Sequence, residues 1–409
     1  MRLRKKPKKD TLINFFVPKF LWTMFILITY MIGSAIPIPL GGTMAEAKSN
    51  YVLQLASNAT GGDISNLTLL SLGLGPWMSS MIIWQVLVMI KPLGLGSLSE
   101  RESGYLRNIL ILFLSIVQSI GIVLSFKMNV DYETKVGVVI MLIAGGFFTV
   151  WLAYLNAAKG VGGSMLIMLF KMITGVEQQL GETFKMLSKI SNGKWIMVLV
   201  ALAILILVIM SVIMERSEYR IPVTRVMINN DLNKDSYIPI KVNNGGGMAI
   251  MFAMSLFMIV NYLLQIIAHH FPVGFLKTFA KGVSMYSFAG ATLYVIVLFA
   301  LAIMFGFVNI DAGQIAEGLR NSGDYIKNVK PGKDTKRYLT KYVAFFSIVG
   351  SIYITLVAGG PLYIGAIQPK YAKVVMIPGI AMMSFGMIFN VQEQIRAAKS
   401  LYSYKKWIK

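Results

Sequence analysis

The sequence predicts an all-α polytopic membrane protein, and three observations carry that prediction. Of its 409 residues, 56% are hydrophobic and only 14% are charged, where a soluble domain carries nearer a quarter charged. Mean hydropathy is +0.66. The apolar residues gather in ten stretches separated by short polar segments, and a bilayer core takes about twenty helical residues to cross.

The chain begins "MRLRKKPKKD" and then runs apolar from Phe20 to Ile36. A basic start before an apolar run resembles a signal peptide, and "MAEA" at Met44–Ala47 mimics a cleavage site. The run is longer than a signal core and further spans follow it, so it reads as a retained first transmembrane helix. The other stretches are Leu74–Ile90, Tyr105–Phe126, Val136–Asn156, Gly160–Ile173, Trp195–Met214, Met248–Ile267, Phe288–Phe307, Tyr342–Val357 and Lys373–Asn390. The fifth is the weakest, being short and carrying Gly162, Gly163 and Lys171. An even number of spans puts both termini on one side. Assigning loops to alternate sides places 28 of the 39 Lys and Arg on the side of the termini, which the positive-inside rule makes cytoplasmic.

Between the first two spans lies "GGDISNLTLLSLGLGPWMSS", Gly61–Ser80. Its mildly apolar part, Ile64–Leu74, is about half the length a span requires, and Gly73, Gly75 and Pro76 break it from the next helix. Asp63, Asn66 and Thr68 disfavour exposure to lipid, and non-spanning backbone is tolerated among membrane helices only inside protein or beside water. Two readings stay level on these grounds: a half-helix hinged to occlude a pore, and a re-entrant structural loop.

Two cytoplasmic loops are long. Glu215–Lys241 has the strand-like pieces "RIPV" and "IPIK" around the polar turn "NNDLNKDS", which predicts a protruding hairpin. Asp311–Lys341 carries Ser322–Gly323 and Pro331–Gly332 and reads as a compact loop. Their net charges are +1 and +3 despite nine and eleven charged residues, a mixture that suits a charged soluble partner. On the outer side, Val176–Lys194 places Val176, Leu180, Phe184 and Leu187 on one face, as an amphipathic surface helix would.

Several function classes are excluded or weakened. The net charge of +21 is distributed as a topology signal, with no folded basic face for nucleic acid. There is no cysteine, so disulfides, thiolate catalysis and cysteine zinc sites are absent, and His269 and His270 alone do not make a metal site. Neither H-E-x-x-H nor G-x-S-x-G occurs, and "KPGKDT" at Lys330–Thr335 lacks the first glycine and the hydroxyl of a phosphate loop. The chain reads as no enzyme and calls for no cofactor. Ion-coupled transport is weakened because the spans carry almost no titratable group; their polar residues are neutral, Gln85, Gln118, Ser255 and Asn261, with Lys171 near one end. A transporter of small uncharged solutes escapes that argument.

"LGLGPWMSSMIIWQVL" at Leu72–Leu87 resembles the second-helix signature of the SecY protein-translocation channel. "IPIPL" at Ile36–Leu40, "QSIGI" at Gln118–Ile122, "KGVGGSMLIMLF" at Lys159–Phe170, "IPIKVN" at Ile238–Asn243 and "PGKDTKRYL" at Pro331–Leu339 resemble further landmarks of that family, in its order. The resemblance implies ten transmembrane helices in two inverted five-helix halves with a half-helix plug. By it, 1–175 is the N-terminal half with the plug near 61–73, 176–194 an external hinge segment, 195–391 the C-terminal half with cytoplasmic loops 215–241 and 311–341, and 392–409 a cytoplasmic tail.

The same resemblance assigns residues by position. The plug would include Asp63, Ile64, Ser65, Asn66, Leu67, Thr68, Leu69 and Leu70. An apolar pore ring would comprise Leu74, Met78, Met165, Leu169, Met251 and a residue of Ile380–Met382, centred on Ala381. Flexible methionine conforms to varied side chains, and an apolar constriction blocks ions by dewetting. Gln85, Gln118 and Ser255 would line a lateral gate toward lipid, and Arg220 and Lys330 would dock a motor ATPase or the ribosome. Lys330 stands where the family favours Arg, Tyr219 replaces one of a basic pair, Gly163–Ser164 replaces an Asn-Gly, and Ala249 replaces a proline. Such departures are similar to the accessory SecY of some Gram-positive bacteria, which works with an accessory SecA-type motor to export serine-rich glycoprotein adhesins. The implied partners are that motor, small SecE-like and SecG-like or accessory membrane subunits, the preprotein and the lipid bilayer, with the chain in the bacterial cytoplasmic membrane. A housekeeping SecY with broad clientele is the alternative within the family.

Overall fold

The apolar stretches become helices because a helix satisfies its own backbone hydrogen bonds without water. A computed structural model describes residues 12–38, 60–62, 67–125, 131–187, 193–225, 236–270, 287–368 and 376–408. The helices are α1 (Leu12–Ala35), α2 (Gly75–Met89), α3 (Glu100–Ser125), α4 (Tyr132–Lys159), α5 (Met165–Leu187), α6 (Gly193–Arg216), α7 (Gly246–His270), α8 (Phe288–Asn309), α9 (Ala312–Ser322), α10 (Lys333–Ile354), α11 (Gly360–Ile367) and α12 (Ile377–Ile408). A π-helical turn, Thr355–Gly359, links α10 to α11. Three short strands, β1 (Glu218–Thr224), β2 (Tyr237–Lys241) and β3 (Tyr325–Ile326), complete the described elements.

Each of the ten apolar stretches falls on a helix. Six helical segments among the described residues are long and apolar enough to cross a membrane: Phe16–Ala35, Glu100–Leu124, Tyr132–Lys159, Gly246–Ile267, Phe288–Ser322 and Lys333–Ile367. On α1 the outward residues Phe20, Leu21, Phe25 and Ile32 are all near 60% exposed, an apolar surface that water does not accommodate and lipid does. The chain is a multi-pass membrane protein.

The structure differs from the sequence expectations at several points. The described part of the expected half-helix, Leu67–Leu74, is a succession of turns, and Asp63–Asn66 lie outside the described residues. Two turn bonds, Ser71 N to Thr68 O and Gly73 N to Leu70 O, replace the helical ladder because the segment's remaining groups bond to other parts of the chain. The amphipathic stretch starting at Val176 is no separate surface helix as far as Leu187: it continues α5, which itself starts five residues later than expected because Gly162 and Gly163 have positive φ. His269 and His270 are the last two residues of α7. Residues 392–408 prolong α12 without a break.

Contacts divide the chain into two compact units, 1–175 with 387–409, and 176–386. In the first, α1 and α3 pack on α4, and α2 packs on α3. Helix α3 opens with a capping box: the Ser99 N–H and hydroxyl both donate to the Glu102 carboxylate, and Glu102 N–H returns a bond to Ser99 Oγ. Where α4 meets α5, buried Asn156 ties three elements together. Its amide donates to the carbonyls of Val161 (3.2 Å) and Gly163 (2.6 Å) and accepts from the Thr23 hydroxyl of α1 (3.1 Å), while Thr23 Oγ1 accepts from Val161 N–H (2.9 Å).

In the second unit, α8 lies between α7 and α10, and the Phe252 and Phe305 rings stack at 4.9 Å across α7 and α8. The predicted hairpin is present: β1 and β2 pair antiparallel from Glu218↔Lys241 to Pro222↔Tyr237. The second long loop is more than a compact loop. It contains α9, capped by the Asp311 carboxylate accepting from Gly313 and Gln314 N–H and ended at left-handed Gly323. It also contributes β3, which pairs with Val223 and Thr224 to give the order β2-β1-β3. Both loops thus close over one core of Ile221, Val223, Ile240, Ala312, Ile326, Leu339 and Val343.

Two outcomes follow from these packings. Asn156→Leu removes the donor to two part-buried carbonyls, those of Val161 and Gly163, at about 1–3 kcal/mol for each unpaired group; it should lower the midpoint of thermal aggregation in detergent, whereas Ala157→Leu on the exposed face should not. Ile240→Ala, at a fully buried position, should weaken the polar subdomain by about 2–5 kcal/mol, read as faster trypsin cleavage at Arg225 and Lys241.

Candidate functional site

The stretch leading into α2 is held by backbone bonds on both flanks. Immediately after α1, Ile38 N–H donates to Leu67 O at 3.0 Å and Leu69 N–H donates to Ile36 O at 3.1 Å, so Pro37 and Thr68 form an isolated antiparallel bridge. Farther along, Leu74 N–H donates to Thr60 O at 2.8 Å, and the Tyr30 hydroxyl of α1 donates to Gly61 O. Thr68 N–H donates to Ser71 Oγ at 2.6 Å. These bonds satisfy backbone that no helix serves, as burial demands.

Gly73 makes the joint possible. Its φ is +55°, and a Cβ there would lie 2.3 Å from Gly62 N, so neither the conformation nor the space admits a side chain. Pro76 occupies the first turn of α2, where its missing N–H costs nothing. Leu67, Leu70, Leu72, Leu74 and Met78 are all buried. Thus, of the residues the resemblance assigns to the plug, Leu67, Thr68 and Leu70 are buried and Leu69 is half-buried, and Leu74 and Met78, which it assigns to the ring, lie at the N-cap and in the first turn of α2.

The remaining assigned residues of the first unit stand on α2, α3 and α5. Leu169 is buried and Met165 half-buried, one helical turn apart on α5. Gln118, buried on α3, brings its Oε1 to 2.9 Å from the place of a Cβ on Gly75. It therefore sits at the joint itself, whereas Gln85 is half-buried nearly three turns farther along α2. Met168, which sequence reasoning passed over, is fully buried and lies against Gly61. No local signal sets Met168 apart from its neighbours Met165 and Met172.

In the second unit Met251 and Ser255, one turn apart on α7, are each 1% exposed. Ala381 on α12 is half-buried and is followed by buried Met382 and Met383. Helices α7 and α12 meet backbone to backbone: a Cβ on Gly247 would lie 2.7 Å from Met383 O, and one on Gly386 2.5 Å from Gly247 N. Small residues permit such approach between apolar helices.

Arg220 and Lys330 lie on the polar subdomain formed by both loops. Along β1, Ile221 and Val223 face the core, and Tyr219 shares their face, its ring stacked on Tyr342 of α10 at 5.1 Å. A hydrogen bond with Tyr342 raises the Tyr219 pKa above the ordinary tyrosine value. Arg220 projects from the opposite face. Its Nε is 2.8 Å from Glu218 Oε1 and its guanidinium 4.6 Å from the centre of the Tyr237 ring. Lys330 is exposed in the turn before α10, with its carbonyl accepting from the Thr335 hydroxyl at 2.8 Å. Among the described residues no group of three His, Cys, Asp or Glu is placed to hold a metal.

The SecY family model matches residues 68–388. An accessory Sec system protein translocase subunit SecY2 of Streptococcus sanguinis (strain SK36) is 37% identical over 397 residues, covering 94% of this chain and 97% of its own. The protein of the same description from Streptococcus gordonii is 35% identical, covering 93% and 96%. Among solved structures, one described as a protein conducting channel has a TM-score of 0.68 at 19% identity, covering 94% of this chain and 93% of its own. Sec61 in the canine ribosome-channel complex has a TM-score of 0.63 at 18% identity, covering 94% and 93%. Those two structures share the fold. With the family model spanning most of the chain and relatives above 30% identity along nearly its whole length, the chain belongs to the SecY family.

Proposed function

We propose that this protein is the central pore subunit of a bacterial protein-export translocon, passing unfolded secretory polypeptides across the cytoplasmic membrane, with both termini cytoplasmic. The observation that carries this reading is the joint at Gly73–Pro76. There a buried non-helical segment runs directly into the buried apolar pair Leu74 and Met78, in a chain of the SecY family. In the resting channel the segment ending at Leu70 is the plug. Leu74, Met78, Met165, Leu169, Met251 and Ala381 form the apolar ring around which ten spans, in two inverted halves hinged at 176–194, open and close. Methionine and leucine close on whatever side chain passes without offering it a charge, and an apolar constriction excludes ions when empty.

The lateral gate uses Gln85, Gln118 and Ser255. Hydrogen bonds between neutral side chains of membrane helices are worth about 1 kcal/mol or less, so an inserting apolar signal helix suffices to part them. SecY family proteins are channels and not enzymes, and ATP hydrolysis falls to a separate SecA-type motor. Arg220, oriented by Glu218 and Tyr237, and exposed Lys330 form the motor's docking charges. Small SecE-like and SecG-like or accessory membrane subunits brace the channel. The accessory relatives support a dedicated export route, with serine-rich glycoprotein adhesins as cargo.

A cysteine at Met78 or Met251 should crosslink to a secretory chain stalled in transit; no crosslink to a verified cargo, together with saturable solute uptake by liposomes, would identify a transporter instead. Arg220→Glu and Lys330→Glu should each weaken motor binding several-fold, more at low salt than at high, as measured with purified components. Deletion of the gene should abolish export of a few large adhesins and leave bulk secretion intact; a lethal block of bulk secretion would instead mark a housekeeping channel.

A further inference from the structure

The segment before α2 meets α4 at two adjacent glycines, Gly145 and Gly146, both buried. A Cβ built on Gly145 would lie 1.9 Å from the carbonyl oxygen of Leu69 and 2.9 Å from its carbonyl carbon. That obstacle is backbone, so no rotamer change relieves it. On Gly146 a Cβ would meet Leu72 Cδ2 at 2.7 Å, and on Gly33 of α1 it would meet Leu70 Cδ1 at 2.7 Å; both are ends of flexible side chains. Leu69 is therefore gripped from two sides. Its N–H is bonded to Ile36 O, and its carbonyl is pressed into the hollow at Gly145.

From this we infer that Gly145 and Gly146 are positioning residues: they form the seat that sets the resting place of residues 67–74, so that the closed position is encoded in α4 as much as in the segment itself. Moving Leu69 away from α4 breaks or bends its bond to Ile36, and keeping that bond requires an empty volume at residue 145. A methyl group at 145 thus lifts the segment off its seat without altering any residue of the segment. Gly137, on the same helix with open space around its Cβ position, has no such part. The functional meaning rests on the proposal that this segment closes the pore; the seating itself does not.

The chain's lack of cysteine allows a direct test in proteoliposomes of the full-length protein. Ser71→Cys introduces a thiol at a position 1% exposed, whose labelling by a membrane-impermeant maleimide reports displacement of the segment. Adding Gly145→Ala should raise the labelling rate at least tenfold, and adding Gly137→Ala should leave it unchanged. Gly146→Ala should also raise it, and Leu72→Ala should reverse that rise by removing the side chain the new methyl meets. If Gly145→Ala fails to accumulate, the Gly146→Ala and Leu72→Ala pair decides. Labelling that stays at the Ser71→Cys level in the seat variants overturns the seat. Ion leak measured on the same vesicles separates the two ideas: faster labelling with a leak supports both, and faster labelling without a leak keeps the seat while overturning the segment's role as plug.

Discussion

Backbone that is not helical, set among helices apolar enough to cross a membrane, has no water to serve its N–H and C=O groups and must find partners within the protein. Thr60–Gly62 and Leu67–Leu74 meet that demand through Ile36, Ile38, Tyr30 and their own turn bonds. The neighbouring elements are arranged to permit it. Gly33, Gly145 and Gly146 leave room for the chain, Gly73 turns it, and α2 starts at the one place where a proline loses nothing. The Asn156 knot answers the same demand where the chain leaves α4 and turns into α5.

The consequence for function is a division of labour between backbone and side chains. Polar needs of the described segment are met by main chain and a few neutral amides and hydroxyls, and Leu74, Met78 and Met251 are buried. Under the proposed function such flexible apolar residues have little preference among the side chains that pass. Arg220 is oriented by a carboxylate and a ring on a subdomain with its own core. Under the proposed function, the soluble partner binds through that subdomain and the passing chain meets the apolar residues.

Much of this was legible from local pattern. Apolar runs predict helices because a helix satisfies its own backbone, and each of the ten runs became one. The alternation in "RIPV" and "IPIK" predicts the hairpin because strand faces repeat every two residues. Periodicity did not show β3. Two residues, Tyr325 and Ile326, are too few to carry a pattern, and they are a strand only because β1 offers them its edge. The end of α5 was missed for a related reason. Its apolar face changes character at Gly175, which reads as a boundary, yet nothing in Val176–Leu187 stops the helical hydrogen bonds from continuing.

What the sequence by itself determined is the membrane class, the helices, the bias in the placement of charge, and the break at Gly73–Gly75–Pro76, since each follows from composition or from the dihedral limits of single residues. Only the tertiary structure decided that Leu67–Leu74 is a run of turns seated on α4, that Gln118 stands at the joint, and that two loops about seventy residues apart share one core. Those outcomes depend on which groups come within a few ångströms of one another. A glycine facing a carbonyl and a glycine facing open space are the same letter until the fold puts Leu69 beside Gly145 and leaves Gly137 alone.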